Sequence, residues 1–217
     1  EHGIDLANVS GSGGDGEILA EDVMALVASG GAQGGAPSVT KTAQAEAYAT
    51  ETLSQVARLM AERTTQSWTT APHFFVTREV DARALGAARE KYGPVIEQER
   101  GVRLSHTDLL IAVVARTLEK HPRLNAGWTG GGIRLNPEVN IGVAMAVDDG
   151  VVTTVIPGAN RKSLGEIAVL RRNLAERARA GKLRPSDISG ATFTISNLGM
   201  YQVDAFTAII VAPQAAI

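Results

Sequence analysis

Apolar positions recur along the chain with two periods. From residue 51 onward Val56, Leu59, Met60, Arg63 and Ser67 fall on one helical stripe, which predicts a helix over 51–70 with an arginine in an apolar register. Pro72 ends that helix, and His73-Phe74-Phe75-Val76 begins a strand running to Val80. A helix over 81–99 follows. Ser105-His106-Thr107-Asp108 has the spacing of a capping box ahead of an apolar helix from Leu109 to Leu118. Between Asn125 and Leu135 the period changes to two around Thr129-Gly130-Gly131-Gly132, a glycine-tipped hairpin.

A longer hairpin spans Val139 to Val155, with its turn expected at Asp149-Gly150. Ile141, Val143, Met145 and Val147 alternate with Gly142, Ala144 and Ala146. The large side chains therefore face a core and the small ones permit close approach of another layer. Ser163 and Glu166 form a second capping box, and Ile167, Leu170 and Leu174 are the buried stripe of its helix. Ala191 to Ile195 reads as a strand that runs into Ser196-Asn197-Leu198-Gly199. A second apolar run, Phe206 to Val211, makes the segment a strand, a turn and a strand. Alternating helices and hairpins of this kind predict an α/β, two-layer α+β domain over 51–217.

The first fifty residues differ in texture. Residues 1–30 carry a short apolar cluster (Ile4, Leu6, Val9), a glycine-rich loop from Ser10 to Gly16, and a helix from Ala20 to Ala28 with Val23, Leu26 and Val27 on one face. Gly11, Gly13 and Gly16 match a dinucleotide fingerprint in spacing, but no strong strand precedes them, so that reading is rejected. Residues 31–50 have no apolar period and read as a flexible linker.

Composition narrows the function. A net charge of −2 favours neither nucleic acid nor a membrane surface. With no cysteine there is no disulfide framework, thiolate metal site or cysteine nucleophile, and no metal site is expected. No apolar run is long enough for a membrane span and no signal pattern is present, which gives a cytoplasmic expectation. The cations Arg171, Arg172, Arg177, Arg179, Lys182 and Arg184 lack interleaved aromatics and read as a solvated helix face.

The stretch Gly190-Ala191-Thr192-Phe193-Thr194-Ile195-Ser196-Asn197-Leu198-Gly199-Met200 resembles the catalytic domain of dihydrolipoamide acyltransferases of 2-oxo acid dehydrogenase complexes. Pro72-His73-Phe74 and the Pro213 to Ile217 ending extend the resemblance over most of the chain. It implies a chloramphenicol-acetyltransferase-like fold and a homotrimer, in larger assemblies of trimers, with the active site between subunits. It implies coenzyme A as cofactor and a lipoyl group as acyl carrier. Ser196 would be the catalytic oxyanion donor. Arg89, Ser105, Ser196 and Asn197 match positions that contact coenzyme A. An arginine of the first core helix braces the catalytic aspartate in the family, and Arg63 is the candidate, with Arg58 the runner-up. His73 is expected to be structural, because the family's base lies in a His-x-x-x-Asp-Gly motif. None of His2, His73, His106 and His121 stands in such a motif, so the catalytic domain is expected to be incomplete at its C-terminal end.

Residues 1–30 look like part of the peripheral subunit-binding domain of the same family, which docks decarboxylase and dihydrolipoamide dehydrogenase subunits. Here residues 1–40 hold six Asp or Glu and no Lys or Arg, whereas the family's module usually offers cations to acidic patches. Thr154 and Pro157 replace the family's proline and arginine, Gln202 its glycine, and Val211-Ala212 its Asn-Pro. Three functions follow: acyl transfer between dihydrolipoamide and coenzyme A within a complex, a stand-alone O-acyltransferase acting on a small hydroxyl such as a tetronate, or a non-catalytic trimeric scaffold.

Overall fold

The structure is a computed structural model that describes residues 9–28 and 51–217. The chain divides into two compact units, Glu1–Thr50 and Glu51–Ile217. In the first, the glycine-rich loop leads into α1 (Ala20–Ala28). A Cβ on Gly11 would stand 2.4 Å from the Gly16 carbonyl oxygen, and one on Gly13 2.8 Å from that of Glu17. These glycines let the loop close on itself. Asp22 fastens it, its Oδ2 accepting the Ser12 and Leu19 N–H groups at 2.9 Å each. The expected Ile4–Leu6 cluster and the 31–50 linker lie outside the described residues.

The second unit carries four helices: α2 (Gln55–Thr70), α3 (Arg83–Arg100), α4 (His106–Lys120) and α5 (Leu164–Arg179). Both expected capping boxes form, at Ser105 with Asp108 and at Ser163 with Glu166. Strands β1 (Ala126–Trp128) and β2 (Ile133–Leu135) make the short hairpin. Strands β3 (Ile141–Val147) and β4 (Gly150–Ile156) make the long one. Its two-residue turn is Asp148-Asp149, because Val147 pairs with Gly150, so the turn sits one residue earlier than expected. Strand β5 (Phe193–Ile195) lies parallel to β3 on its other edge, giving the order β4-β3-β5.

The alternation of β3 sorts its side chains as expected. Ile141 and Val143 face α4 and α5, in one core with Ile111, Ala115, Ile156, Ile167 and Leu174. Each isoleucine fully buried there contributes on the order of 2–3 kcal/mol. On the opposite face a Cβ at Gly142 would meet Thr153 Cγ2 at 2.8 Å and Thr194 Oγ1 at 2.9 Å. The close approach that Gly142 permits is thus from side chains of its own sheet. A second cluster, Ile96, Val102, Leu104, Leu109 and Ala168, joins α3, α4 and α5. Among the described residues no helix is long and apolar enough to cross a membrane.

Two expected strands are not strands. Residues 72–80 have no regular secondary structure and join no ladder among the described residues, leaving Phe74, Val76 and Val80 at 84, 83 and 78% exposure. Residues 206–211 likewise form no ladder. Alternation predicts extended backbone, but a strand also needs a neighbour to share its N–H and C=O groups. Ile210 finds substitutes in side chains. Its N–H donates to His73 Nε2 at 3.0 Å, and its carbonyl accepts the Ser67 hydroxyl at 2.6 Å.

Candidate active site

Asn140, just before β3, places the start of the strand β5. Its backbone N–H and carbonyl bond Thr192, its Nδ2 donates to the Gly190 carbonyl, and its Oδ1 accepts the Gly158 N–H. β5 is thereby held parallel to β3, with Ile195 opposite Val143, and the chain leaves the sheet at Ser196. Ser196 is half-buried, and its hydroxyl has no hydrogen-bond partner among the described residues. Asn197 is fixed at both ends of its carboxamide. Nδ2 donates to Thr107 Oγ1 at 3.2 Å, and Oδ1 accepts the Gly199 N–H at 2.9 Å. The turn after Ser196 is therefore tied to the N-terminus of α4.

A cavity of about 850 Å³ opens beside this tie. Arg89 and Glu97 line it from α3, Ser105 and Thr107 from the start of α4, Arg171 from α5, and Asn197 and Gly199 from the turn. Arg89, Ser105 and Asn197, singled out in three separate stretches of sequence, thus share one wall, and Ser196 is the immediate neighbour of Asn197. Ser105 is committed to its cap: its hydroxyl donates to Asp108 Oδ2 at 2.6 Å and accepts the Asp108 N–H at 3.2 Å. What it can offer a ligand is its remaining lone pair.

Arg63 does not line this cavity. It is exposed and makes no ion pair among the described residues, as is also true of Arg58, so the inward-turned guanidinium is not observed. The stripe on which it falls is only partly covered: Ser67 is buried, while Leu59 and Met60 are exposed. His73 is engaged through both nitrogens. Nδ1 lies 2.6 Å from the Ala71 carbonyl oxygen and so carries the proton, leaving Nε2 to accept from Ile210. That is the structural histidine expected. Among the described residues no three metal-ligating side chains gather.

The sequence reading missed Asp108 and Arg171 as a pair. Asp108 is completely buried, and Arg171 reaches it with Nε 2.5 Å from Oδ1 and Nη2 3.1 Å from Oδ2. Arg171 therefore does not belong to the solvated face assigned to its run. Arg177 is also paired, holding Asp187 with two N–H groups at 2.9 and 3.0 Å. The available signal was the capping box, which marks Asp108 as an N-terminal carboxylate; nothing local marks its partner 63 residues away.

Residues 45–217 match the model of the 2-oxoacid dehydrogenases acyltransferase (catalytic domain), and residues 1–24 match that of the e3 binding domain. The chain belongs to the 2-oxoacid dehydrogenase acyltransferase family. Among curated relatives it is 37% identical, over 100% of its own length, to the dihydrolipoyllysine-residue acetyltransferase component of the mitochondrial pyruvate dehydrogenase complex of Caenorhabditis elegans, of which it covers 43%. The chain spans about half the length of the curated relatives it matches. Among solved structures, it superposes on Azotobacter vinelandii dihydrolipoamide acetyltransferase with a TM-score of 0.74 at 32% identity, covering 76% of this chain and 69% of that one. That protein was studied for the role of a serine, a histidine and an asparagine in its catalytic mechanism. The cubic core of a pyruvate dehydrogenase multienzyme complex matches with a TM-score of 0.74 at 31% identity, covering 82% of this chain and 75% of that one. The 51–217 unit thus has the α+β fold of these acyltransferase cores, the chloramphenicol-acetyltransferase-like architecture expected from sequence.

Proposed function

We propose that this protein transfers acyl groups between dihydrolipoamide and coenzyme A as the core subunit of a 2-oxo acid dehydrogenase complex. The observation that carries the reading is the cavity: residues from α3, α4 and the turn after β5 converge on it, beside a serine whose hydroxyl has no partner among the described residues. Coenzyme A fits the wall chemically. Arg89 is an exposed cation with no ion-pair partner among the described residues, and the His106 and Thr107 N–H groups at the start of α4 have no acceptor there. Such groups suit the phosphates and amide carbonyls of that molecule.

In this reading Ser196 supplies the electrostatic part of the chemistry. When a thiolate adds to a thioester carbonyl, the carbonyl oxygen gains negative charge, and an uncommitted hydroxyl held at a strand end donates to it. The proton of the attacking thiol goes to the histidine of the family's His-x-x-x-Asp-Gly motif, which is absent from residues 1–217. A trimeric core, docking of decarboxylase and dihydrolipoamide dehydrogenase subunits through the N-terminal module, and a lipoyl group as acyl carrier complete the proposal.

A stand-alone O-acyltransferase is the second reading. It is favoured by the cation-free stretch over residues 1–40, which offers no charge-assisted bond to an acidic partner patch. An acyl-transfer assay of the full-length protein separates the two. Acetyl-CoA is the donor, and dihydrolipoamide is compared with small hydroxylated acceptors. Transfer to dihydrolipoamide is the expected result; transfer to hydroxyls alone would favour the second reading, and silence with every acceptor would favour a scaffold.

A further inference from the structure

The Asp108–Arg171 pair has more hydrogen-bonding capacity than the fold uses. Asp108 is saturated: its Oδ1 accepts from Arg171 Nε, and its Oδ2 accepts from Arg171 Nη2, the Ser105 N–H and the Ser105 hydroxyl. The capping box alone satisfies the helix end, so the cap does not require an arginine. Arg171 is not saturated. Two of its nitrogens hold Asp108, while Nη1 has no protein partner among the described residues, and the side chain, 21% exposed, lines the cavity. A guanidinium clamped along one edge presents its other edge in a fixed plane, the geometry that recognises phosphate oxygens by paired N–H groups.

The surroundings favour an anion there. Arg89 and Arg103 line the same cavity, and the carboxylate lining it is Glu97. Asp108 is buried and occupied by its own partners. The N-terminus of the fifteen-residue α4 opens onto the cavity through His106 and Thr107, adding its positive dipole end.

We propose that Arg171 is a specificity-determining residue of this cavity, held in place by Asp108 so that its free edge binds the phosphate-bearing part of coenzyme A. The inference rests on the coenzyme A reading above. Arg171 does not touch the reacting thioester in this account; it selects phosphorylated carriers of the thiol over unphosphorylated ones.

The test is calorimetric titration of the full-length protein with coenzyme A, dephospho-coenzyme A, 4′-phosphopantetheine and pantetheine. Removing Arg171 alone leaves Asp108 buried without its counter-charge, so the decisive variant is Asp108→Asn with Arg171→Met, which keeps no unpaired charge. It is expected to bind coenzyme A about ten- to a hundredfold more weakly, the loss that goes with hydrogen bonds to a charged group. Pantetheine binding should stay within about twofold of wild type. Arg171→Lys keeps the charge but not the fork and should fall between. If the loss persists with dephospho-coenzyme A, the contact is to the pyrophosphate; if it disappears, the contact is to the 3′-phosphate. Equal losses for coenzyme A and pantetheine, or unchanged coenzyme A affinity in the double variant, would overturn the proposal and leave Arg171 a structural partner of Asp108. A wild-type protein that binds no coenzyme A would overturn the underlying reading.

Discussion

His73 and Ile210, 137 positions apart, meet ring to backbone: the Ile210 N–H donates to His73 Nε2 at 3.0 Å. With the Ser67 hydroxyl donating to the Ile210 carbonyl, α2 and the residues just beyond it hold the 206–211 segment where a neighbouring strand would ordinarily do so. The imidazole also lies 5.1 Å, centroid to centroid, from the Trp68 ring.

His73→Ala should therefore act on stability. It leaves the part-buried Ile210 N–H without its acceptor, at a cost of about 1–3 kcal/mol. Thermal unfolding of the variant should show this loss, while turnover per folded molecule changes little. A collapse of turnover with unchanged stability would instead make His73 a participant in proton transfer.

A pH-dependent contribution sits at the end of α5. The Arg177 guanidinium, and then the Arg184 backbone N–H, hold the Asp187 carboxyl below its ordinary range. A carboxylate whose folded pKa is depressed adds stability above its unfolded value and loses it as pH falls toward the folded one. The stability difference between wild type and Asp187→Asn should be full near neutrality. It should shrink once the pH drops below about 3.9, the ordinary Asp value. A difference independent of pH would show that the pair contributes through packing alone.

Gln202 has φ 57° and ψ 39°, left-handed backbone where the family pattern has glycine. That conformation costs a side-chain-bearing residue about 1–2 kcal/mol. Glycine relieves it but loses roughly 0.5–1 kcal/mol in chain entropy. Gln202→Gly should thus stabilise by about 0–1.5 kcal/mol in denaturant titration, and Gln202→Val should destabilise, because a β-branched residue tolerates this region least. A Gln202→Val protein as stable as wild type would mean that the loop relaxes to another conformation.

Much of this architecture was readable from local pattern. The Ser105 and Ser163 capping boxes, the Thr129–Gly132 turn and the alternation of Ile141 to Val147 each depend on residues a few positions apart, and each appears in the structure. What local pattern cannot encode is partnership. The runs 72–80 and 206–211 read like strands, yet whether such a run joins a ladder depends on another segment's edge. Arg171 reads as one cation in a solvated run because Asp108, its partner, is 63 residues distant. The bond from Asn197 to Thr107 spans 90. The grouping of Arg89, Ser105 and Asn197 came from resemblance, and the fold gives it a physical form by bringing α3, α4 and the turn after β5 to one cavity. Arg63 shows the converse. Its place on an apolar stripe suggested an inward turn, but that stripe is itself largely exposed in the described unit, so the side chain stays in solvent.

The central claim is that the hydroxyl of Ser196 stabilises the oxyanion of acyl transfer. The measurement that meets it most directly is the turnover of Ser196→Ala in the full-length protein, with acetyl-CoA as donor and dihydrolipoamide as acceptor, alongside calorimetric binding of coenzyme A. The account predicts turnover lowered by about a hundredfold, the effect of removing one oxyanion donor, with a much smaller loss of coenzyme A affinity. Unchanged turnover would contradict it and remove Ser196 from the mechanism.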